Sequence, residues 1–237
     1  MPLRSFSLML PFPSCPGTTA GSAATPTPLS TITATRTRPS GSWTSSGARS
    51  TRRGYDVTGI DLSKQSIADA RTRAAAEGLD VTFAQGDMRT PYCEGCADGV
   101  VNLFTTFGYF EDDAENQRAL RAMATALRPG GWFLQDFLNA PQVRATLTPT
   151  TTRTENGVTI HQERWIADGR INKTITLEQN DTTETFRESV RLFTLDDFRA
   201  MYEAVGLTLV ATYGDYDGAS YTETSPRLLL HARRPST

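Results

Sequence analysis

Residues 54–63 read GYDVTGIDLS, and this stretch decides the fold. Tyr55 to Asp61 is a short, β-branched run of the kind a buried strand gives, it ends in an acid, and Ser63 is placed to cap a helix. Downstream, KQSIADARTRAAAEG (64–78) puts Ile67, Ala70 and Ala74 on one helical face, with Gly78 as the stop. LDVTFAQGD (79–87) alternates into another strand, and DGVVNLF (98–104) is an apolar run bounded by turn signals. ENQRALRAMATALRPGG (115–131) sets Leu120, Met123, Ala124 and Leu127 at helix spacing before a Pro-Gly-Gly stop, and WFLQDFL (132–138) is a further strand. Strand, helix, strand, strand, helix, strand predicts an α/β fold with a mostly parallel sheet and crossover helices.

After Pro141 the period shortens from 3.6 toward 2. VTIHQERWIADG (158–169), RINKTITLEQND (170–181) and TETFRESVRLF (183–193) alternate and are separated by DG and ND turns, which predicts an antiparallel β meander between residues 150 and 193. Thr194 opens TLDDFRAMYEAVG, where Thr194 and Asp197 form a variant capping pair and Phe198, Met201 and Tyr202 make the inward face. LTLVATYG (207–214) and RLLLHARR (227–234) read as a terminal strand pair.

Upstream of Gly54 the chain changes character. Residues 1–53 hold 10 Ser, 10 Thr and 7 Pro, and no Asp or Glu occurs before Asp56. By composition this is an irregular leader with little to bury, and its Arg- and Ser-rich, acid-free make-up also suits an organellar transit peptide. LSTITAT (29–35) alone has the β-branched character of a strand. Over the whole chain 24 basic residues face 26 acidic ones, so no global field favours nucleic acid or an anionic membrane. The apolar run FSLMLPF (6–12) is too short to span a bilayer. Cys15, Cys93 and Cys96 are an odd, sparse set that argues against a disulfide framework and fits a reducing, cytoplasmic setting. The single CxxC (93–96) lacks a second ligand pair, so no metal site is expected and two loop cysteines is the simpler reading.

The chemistry sits at strand ends. Asp61 closes the first strand where open α/β sheets bind ligands, and a carboxylate there can accept both hydrogen bonds of a ribose diol. Asp87 comes after the next strand, placed to accept from an exocyclic amine, with Met88 able to pack on a purine face. Such acids also serve as helix caps; two at successive strand ends weigh more than one.

Through RRGYDVTGIDLS, FAQGDM, NLFTTFGYFEDDAENQRALRAMATALRPGGWFLQDF and the closing PRLLLHARRP, the chain from about Arg53 to Pro235 resembles the class I S-adenosylmethionine-dependent methyltransferases. The resemblance implies a Rossmann-like, doubly wound seven-stranded sheet with an antiparallel last strand, in a methyltransferase domain over residues 54–237 whose meander forms a substrate cap. It implies S-adenosylmethionine as cofactor, with Asp61 and Leu62 at the ribose, Asp87 and Met88 at the adenine, and Asn102 and Phe104 at the strand end facing the cofactor. Thr105, Phe107, Tyr109, Trp165 and Tyr216 are the candidate wall for a small-molecule acceptor; core packing is the alternative for the Phe residues and an ordinary loop for the Tyr residues. A nicotinamide dinucleotide fold also uses an acid at the position of Asp61, but the capped helix and terminal strand pair at the C-terminus favour the methyltransferase. Methyl transfer from a sulfonium needs alignment and exclusion of water more than side-chain chemistry, so no catalytic residue is assigned.

The family's first motif, an apolar strand ending in an acid and then a glycine-rich turn, has no counterpart here, because Gly41 and Gly47 flank only Trp and hydroxyl residues. The genetic code suggests a reason. Trp43 is TGG and Thr44 is ACN, so one frame over their junction reads GAC, an Asp; with TCN serines the flanking triplets are apolar. Residues 1 to about 51 are therefore expected to be read out of frame, and cofactor binding by this chain is expected to be impaired. A scaffold protein that keeps the sheet without the cofactor loop is the runner-up, and a dinucleotide oxidoreductase the third reading.

Overall fold

The computed structural model of the 237-residue chain describes residues 32–36, 55–180 and 182–236. The readings of the leader over 1–31 and 37–53 lie outside the described residues. In chain order the elements are β1 (Ile32–Arg36), β2 (Tyr55–Asp61), α1 (Lys64–Ala76), β3 (Thr82–Gln85), β4 (Ala97–Asn102), α2 (Asp113–Ala126) and β5 (Leu127–Leu138). Beyond these come α3 (Ala140–Thr146), β6 (Thr150–Glu155), β7 (Val158–Ala167), β8 (Arg170–Gln179), β9 (Thr182–Arg191), α4 (Leu195–Glu203), β10 (Thr208–Tyr213) and β11 (Arg227–Arg233).

Seven strands form one sheet in the order β10-β11-β5-β4-β1-β2-β3. β2 pairs with β3 and β4 with β5 in parallel, while β11 runs antiparallel to β5 as expected for the last strand. The central position between β2 and β4 is filled by Ile32–Arg36, from the one N-terminal segment with strand character. Its direction is the surprise. β1 runs antiparallel to both neighbours, with Ile32 opposite Gly59 and Arg36 opposite Tyr55. The chain therefore leaves β1 beside the start of β2, at the end of the sheet away from Asp61.

Local chemistry explains the boundaries. Ser63 Oγ accepts the Ser66 N–H at 3.2 Å and caps α1, and Asp112 does the same for α2 through Ala114 N–H at 2.8 Å. α2 ends at Ala126, because Pro129 cannot continue a helix, and the strand begins at Leu127 instead of after the Pro-Gly-Gly. Gly99 faces Trp132 across the parallel pair, and the indole occupies the space a side chain at Gly99 would need. The Thr194–Asp197 capping box is present in both directions.

The meander has four strands, not three: Thr150–Glu155 adds an edge to β7-β8-β9. Asn156-Gly157 and Asp168-Gly169 both have positive φ at the two central positions, the requirement of a type I′ hairpin turn. The core lies under α2 and α4, where Phe107, Phe133, Phe137, Phe193, Phe198 and Tyr202 pack with ring centroids 5.0 to 6.3 Å apart. Each such buried side chain contributes about 1.5–3 kcal/mol relative to exposure. Inside this apolar mass the Tyr202 hydroxyl donates to Gln135 Oε1 at 2.9 Å.

Candidate active site

The carboxyl ends of β2, β3, β4 and β5 converge on one edge of the sheet. Asp61 closes β2 and is 1% exposed; its Oδ1 accepts the Ser63 N–H at 2.7 Å, and its backbone carbonyl accepts the Gly86 N–H at 2.9 Å. The same carboxylate thus shapes the turn into α1 at the carboxyl end of β2. Leu62 is half exposed beside it, and Gln85 at the end of β3 donates to the Leu62 carbonyl at 3.0 Å.

The structure gives Asp87 to Arg89. The Arg89 backbone N–H, Nε and Nη2 donate to the two Asp87 oxygens at 2.5 to 3.1 Å, and Nη1 donates to Glu115 at 2.6 Å. The Arg89 hydrogen bonds hold the Asp87 carboxyl below the usual carboxylate range. The guanidinium also lies 4.7 Å from the Phe110 ring centroid. Asp87 therefore has little accepting capacity left for an exocyclic amine. Met88 packs against the core and, with Asp87, Thr90 and Tyr92, lines a cavity of about 20 Å³ that Ile60, Met123 and Ala126 close from below.

At the end of β4 the backbone is strained. Phe104 and Thr105 have φ of 57° and 58°, the left-handed region that glycine favours and a β-branched residue rarely enters. Such residues cost on the order of 1–3 kcal/mol each and persist where neighbours over-determine them. Here the determinant is Asp136, fully buried in β5. Its Oδ2 accepts the Phe104 N–H at 2.9 Å and the Tyr216 hydroxyl at 2.7 Å, and its carbonyl accepts the Thr105 N–H at 3.1 Å. Its Oδ1 takes Arg227 Nε and Nη2 at 2.8 and 2.6 Å, and Nη2 continues to Thr105 Oγ1 at 2.8 Å. Burial, then the Asp136 charge, pushes the Tyr216 phenol up to about 12, although its ring is exposed.

Phe104, Thr105 and Tyr216 are therefore brought together, and Asp136 and Arg227 are the residues that sequence reasoning missed. Asn102 is fully buried and donates to Thr106 Oγ1 at 2.7 Å, inside the same turn. Phe107 is fully buried against Phe193 and Phe198, so its ring belongs to the core and is withheld from a ligand wall. Tyr109 is half-buried; burial and then the Glu188 charge raise its phenol. Trp165 is exposed on β7 and alternates with Ile166, whose cross-strand neighbours Ile171 and Val190 pack on the core. It thus stands on the meander face turned away from that core.

Residues 40–131 match the family described as Methyltransferase domain, a match that begins before Gly54. The chain is 34% identical over 88 residues to the ubiquinone biosynthesis O-methyltransferase of Caulobacter vibrioides, covering 37% of this chain and 34% of that protein. It is 26% identical over 187 residues to the cypemycin N-terminal methyltransferase of Streptomyces sp, covering 76% of this chain and 75% of that one. In fold it resembles an S-adenosylmethionine-dependent methyltransferase from Clostridium acetobutylicum, with a TM-score of 0.69, 14% identity, and 78% and 77% of the two chains covered. In fold and in the matched residues the chain is similar to S-adenosylmethionine-dependent methyltransferases of the class I type. The matched relatives at 30% identity or more are covered over about a third of their length, and the matches support a methyltransferase domain over residues 40–131 with S-adenosylmethionine as its cofactor.

The acid at the end of β2 fits that cofactor, since a strand-end carboxylate suits the ribose hydroxyls. The described residues beside Asp61 do not include a glycine-rich turn leading from β1.

Proposed function

We propose that this fold transfers a methyl group to a small-molecule acceptor and that transfer is impaired in this particular chain. The observation that carries the first part is the pairing of a buried Asp61 at one strand end with a strained, Asp136-pinned turn at the next but one, on the ligand edge of the sheet. The cofactor supplies a methyl on a cationic sulfonium. Asp61 accepts from the ribose and sets the register along the sheet edge. The Phe104–Thr105 turn, locked by Asp136 and Arg227, gives a rigid floor, and the exposed faces of Phe104 and Tyr216 exclude water from the acceptor. The Tyr216 hydroxyl donates to Asp136, and its oxygen is an acceptor that an N–H or O–H of the methyl acceptor could use. Alignment of this kind is worth on the order of 7–11 kcal/mol in a displacement between two bound groups.

The second part rests on β1. A strand sits in the central position, yet it runs antiparallel, so its last residue, Arg36, lies beside Tyr55 at the end of the sheet away from Asp61. This accords with an out-of-frame leader, and it also favours the runner-up, a sheet that binds without catalysing. The deciding assay tracks transfer of labelled methyl from S-adenosylmethionine to a panel of small amines, phenols and sugars. It compares this chain with one whose residues 1–51 are translated from the shifted frame. Transfer by the shifted-frame chain, and little by this one, is expected. Cofactor binding by the shifted-frame chain with no transfer to any acceptor would favour the non-catalytic reading.

A further inference from the structure

The CxxC motif, two loop cysteines by sequence, is drawn together by the fold. Cys93 and Cys96 are disulfide-bonded, with Cα atoms 6.0 Å apart. The bond closes the turn Cys93-Glu94-Gly95-Cys96 at the entrance to β4. Gly95 has φ of 58°, a conformation that costs glycine little, and its N–H donates to the Thr125 carbonyl of α2 at 2.9 Å, which fixes the turn against the helix. Cys93 is half-buried and packs on the core, whereas Cys96 is exposed. The five residues before the pair include Met88 and Tyr92, which wall the cavity beside Asp87.

We propose that Cys93 and Cys96 form a reversible dithiol–disulfide site that reacts with low-molecular-weight disulfides, its closure fixing the loop that carries Asp87 and Met88. The asymmetry of exposure assigns the roles. The Cys96 thiolate attacks one sulfur of the small disulfide, forming a mixed disulfide and expelling one thiolate, which takes up a proton. The Cys93 thiolate then attacks the Cys96 sulfur, the S–S bond closes within the turn, and the second small thiol departs. Two cysteine thiols lose two electrons and two protons, and the small disulfide becomes two thiols. An excess of dithiol reverses both steps.

Only the bearing of this site on the cofactor rests on the methyltransferase reading; the thiol chemistry stands apart from it. The reduced full-length chain is treated with oxidised glutathione, quenched with iodoacetamide and digested with trypsin. The peptide Thr90–Arg118 contains Cys93 and Cys96 and no other cysteine. It should carry two alkyl groups before oxidation, none after it, and two again after dithiothreitol. Cys93→Ser should retain glutathione on Cys96, because no second thiol is present to expel it. A wild-type peptide still alkylated twice in excess oxidant, or one that keeps a stable glutathione adduct, overturns the site. Hydrogen exchange read on the same samples should slow several-fold over residues 87–92 on oxidation. Unchanged exchange there overturns the coupling to the loop while leaving the thiol chemistry in place. An oxidisable pair together with a shifted-frame chain that neither binds S-adenosylmethionine nor transfers methyl would count against the proposed function alone.

Discussion

Phe198→Ala is expected to lower the unfolding free energy by about 3–5 kcal/mol, the cost of truncating a buried aromatic whose cavity cannot close. Phe198 is fully buried on α4, and its ring centroid lies 5.0 Å from Phe137, 5.7 Å from Phe193, 5.9 Å from Phe107 and 6.0 Å from Tyr202. Those partners come from β5, from the segment after β9, from the loop after β4 and from α4 itself. No single partner can move into the space without leaving another, so the truncation uncouples α4 from the sheet edge. A domain of ordinary stability, about 5–15 kcal/mol, loses a large share of it. Urea unfolding monitored by circular dichroism gives the number directly. A loss under about 1 kcal/mol would mean that the aromatic cluster is not the core that joins α4 to the sheet.

Asp136→Ala should be of similar size and have a second signature. Removing one partner of a buried ion pair costs about 3–5 kcal/mol, and the partial exposure of Arg227 moves the expectation toward the lower end. The substitution also leaves the Phe104 N–H and the Tyr216 hydroxyl without the acceptor they share. The positive φ values at Phe104 and Thr105 then lose one of their determinants, although the Thr105 N–H bond to the backbone of residue 136 remains. The Tyr216 phenol, held at about 12 by burial and by Asp136, should titrate closer to the ordinary tyrosine value when monitored by absorbance. A phenol raised in the folded state contributes stability that is full below pH 10 and is lost between pH 10 and about 12, so the substitution should flatten that alkaline loss. A wild-type-like stability with an unchanged Tyr216 titration would remove Asp136 from its place as the pin of the turn.

Much of this was legible in the residues from Tyr55 onward, because local patterns there agree with the tertiary outcome. The buried run ending in Asp61, the Ser63 cap, the Thr194–Asp197 box and the Asp168-Gly169 turn all act within a few residues. Asp136 shows what such patterns miss. Its Gln-Asp setting within WFLQDFL is visible as two polar residues in an apolar strand, but its partner Arg227 lies 91 residues away and Tyr216 80. Arg89 escaped notice for a different reason: an acid with a base two residues later looks like an ordinary exposed pair until Glu115 and Phe110 close around it. The threonine-rich edge strand β6 has too few apolar residues to show alternation. The direction of β1 is beyond any reading of five residues, since side-chain alternation is the same for both directions of pairing.

A strand-end acid and a pinned turn beside a central strand of reversed direction form the contrast on which the function of this chain turns. It is tested most directly by calorimetric titration of S-adenosylmethionine into this chain and into its counterpart with residues 1–51 translated from the shifted frame. The expected result is little or no saturable binding by the first, and clear binding by the second that Asp61→Ala abolishes. Tight binding by the chain as it stands, or none by the shifted-frame chain, would contradict it.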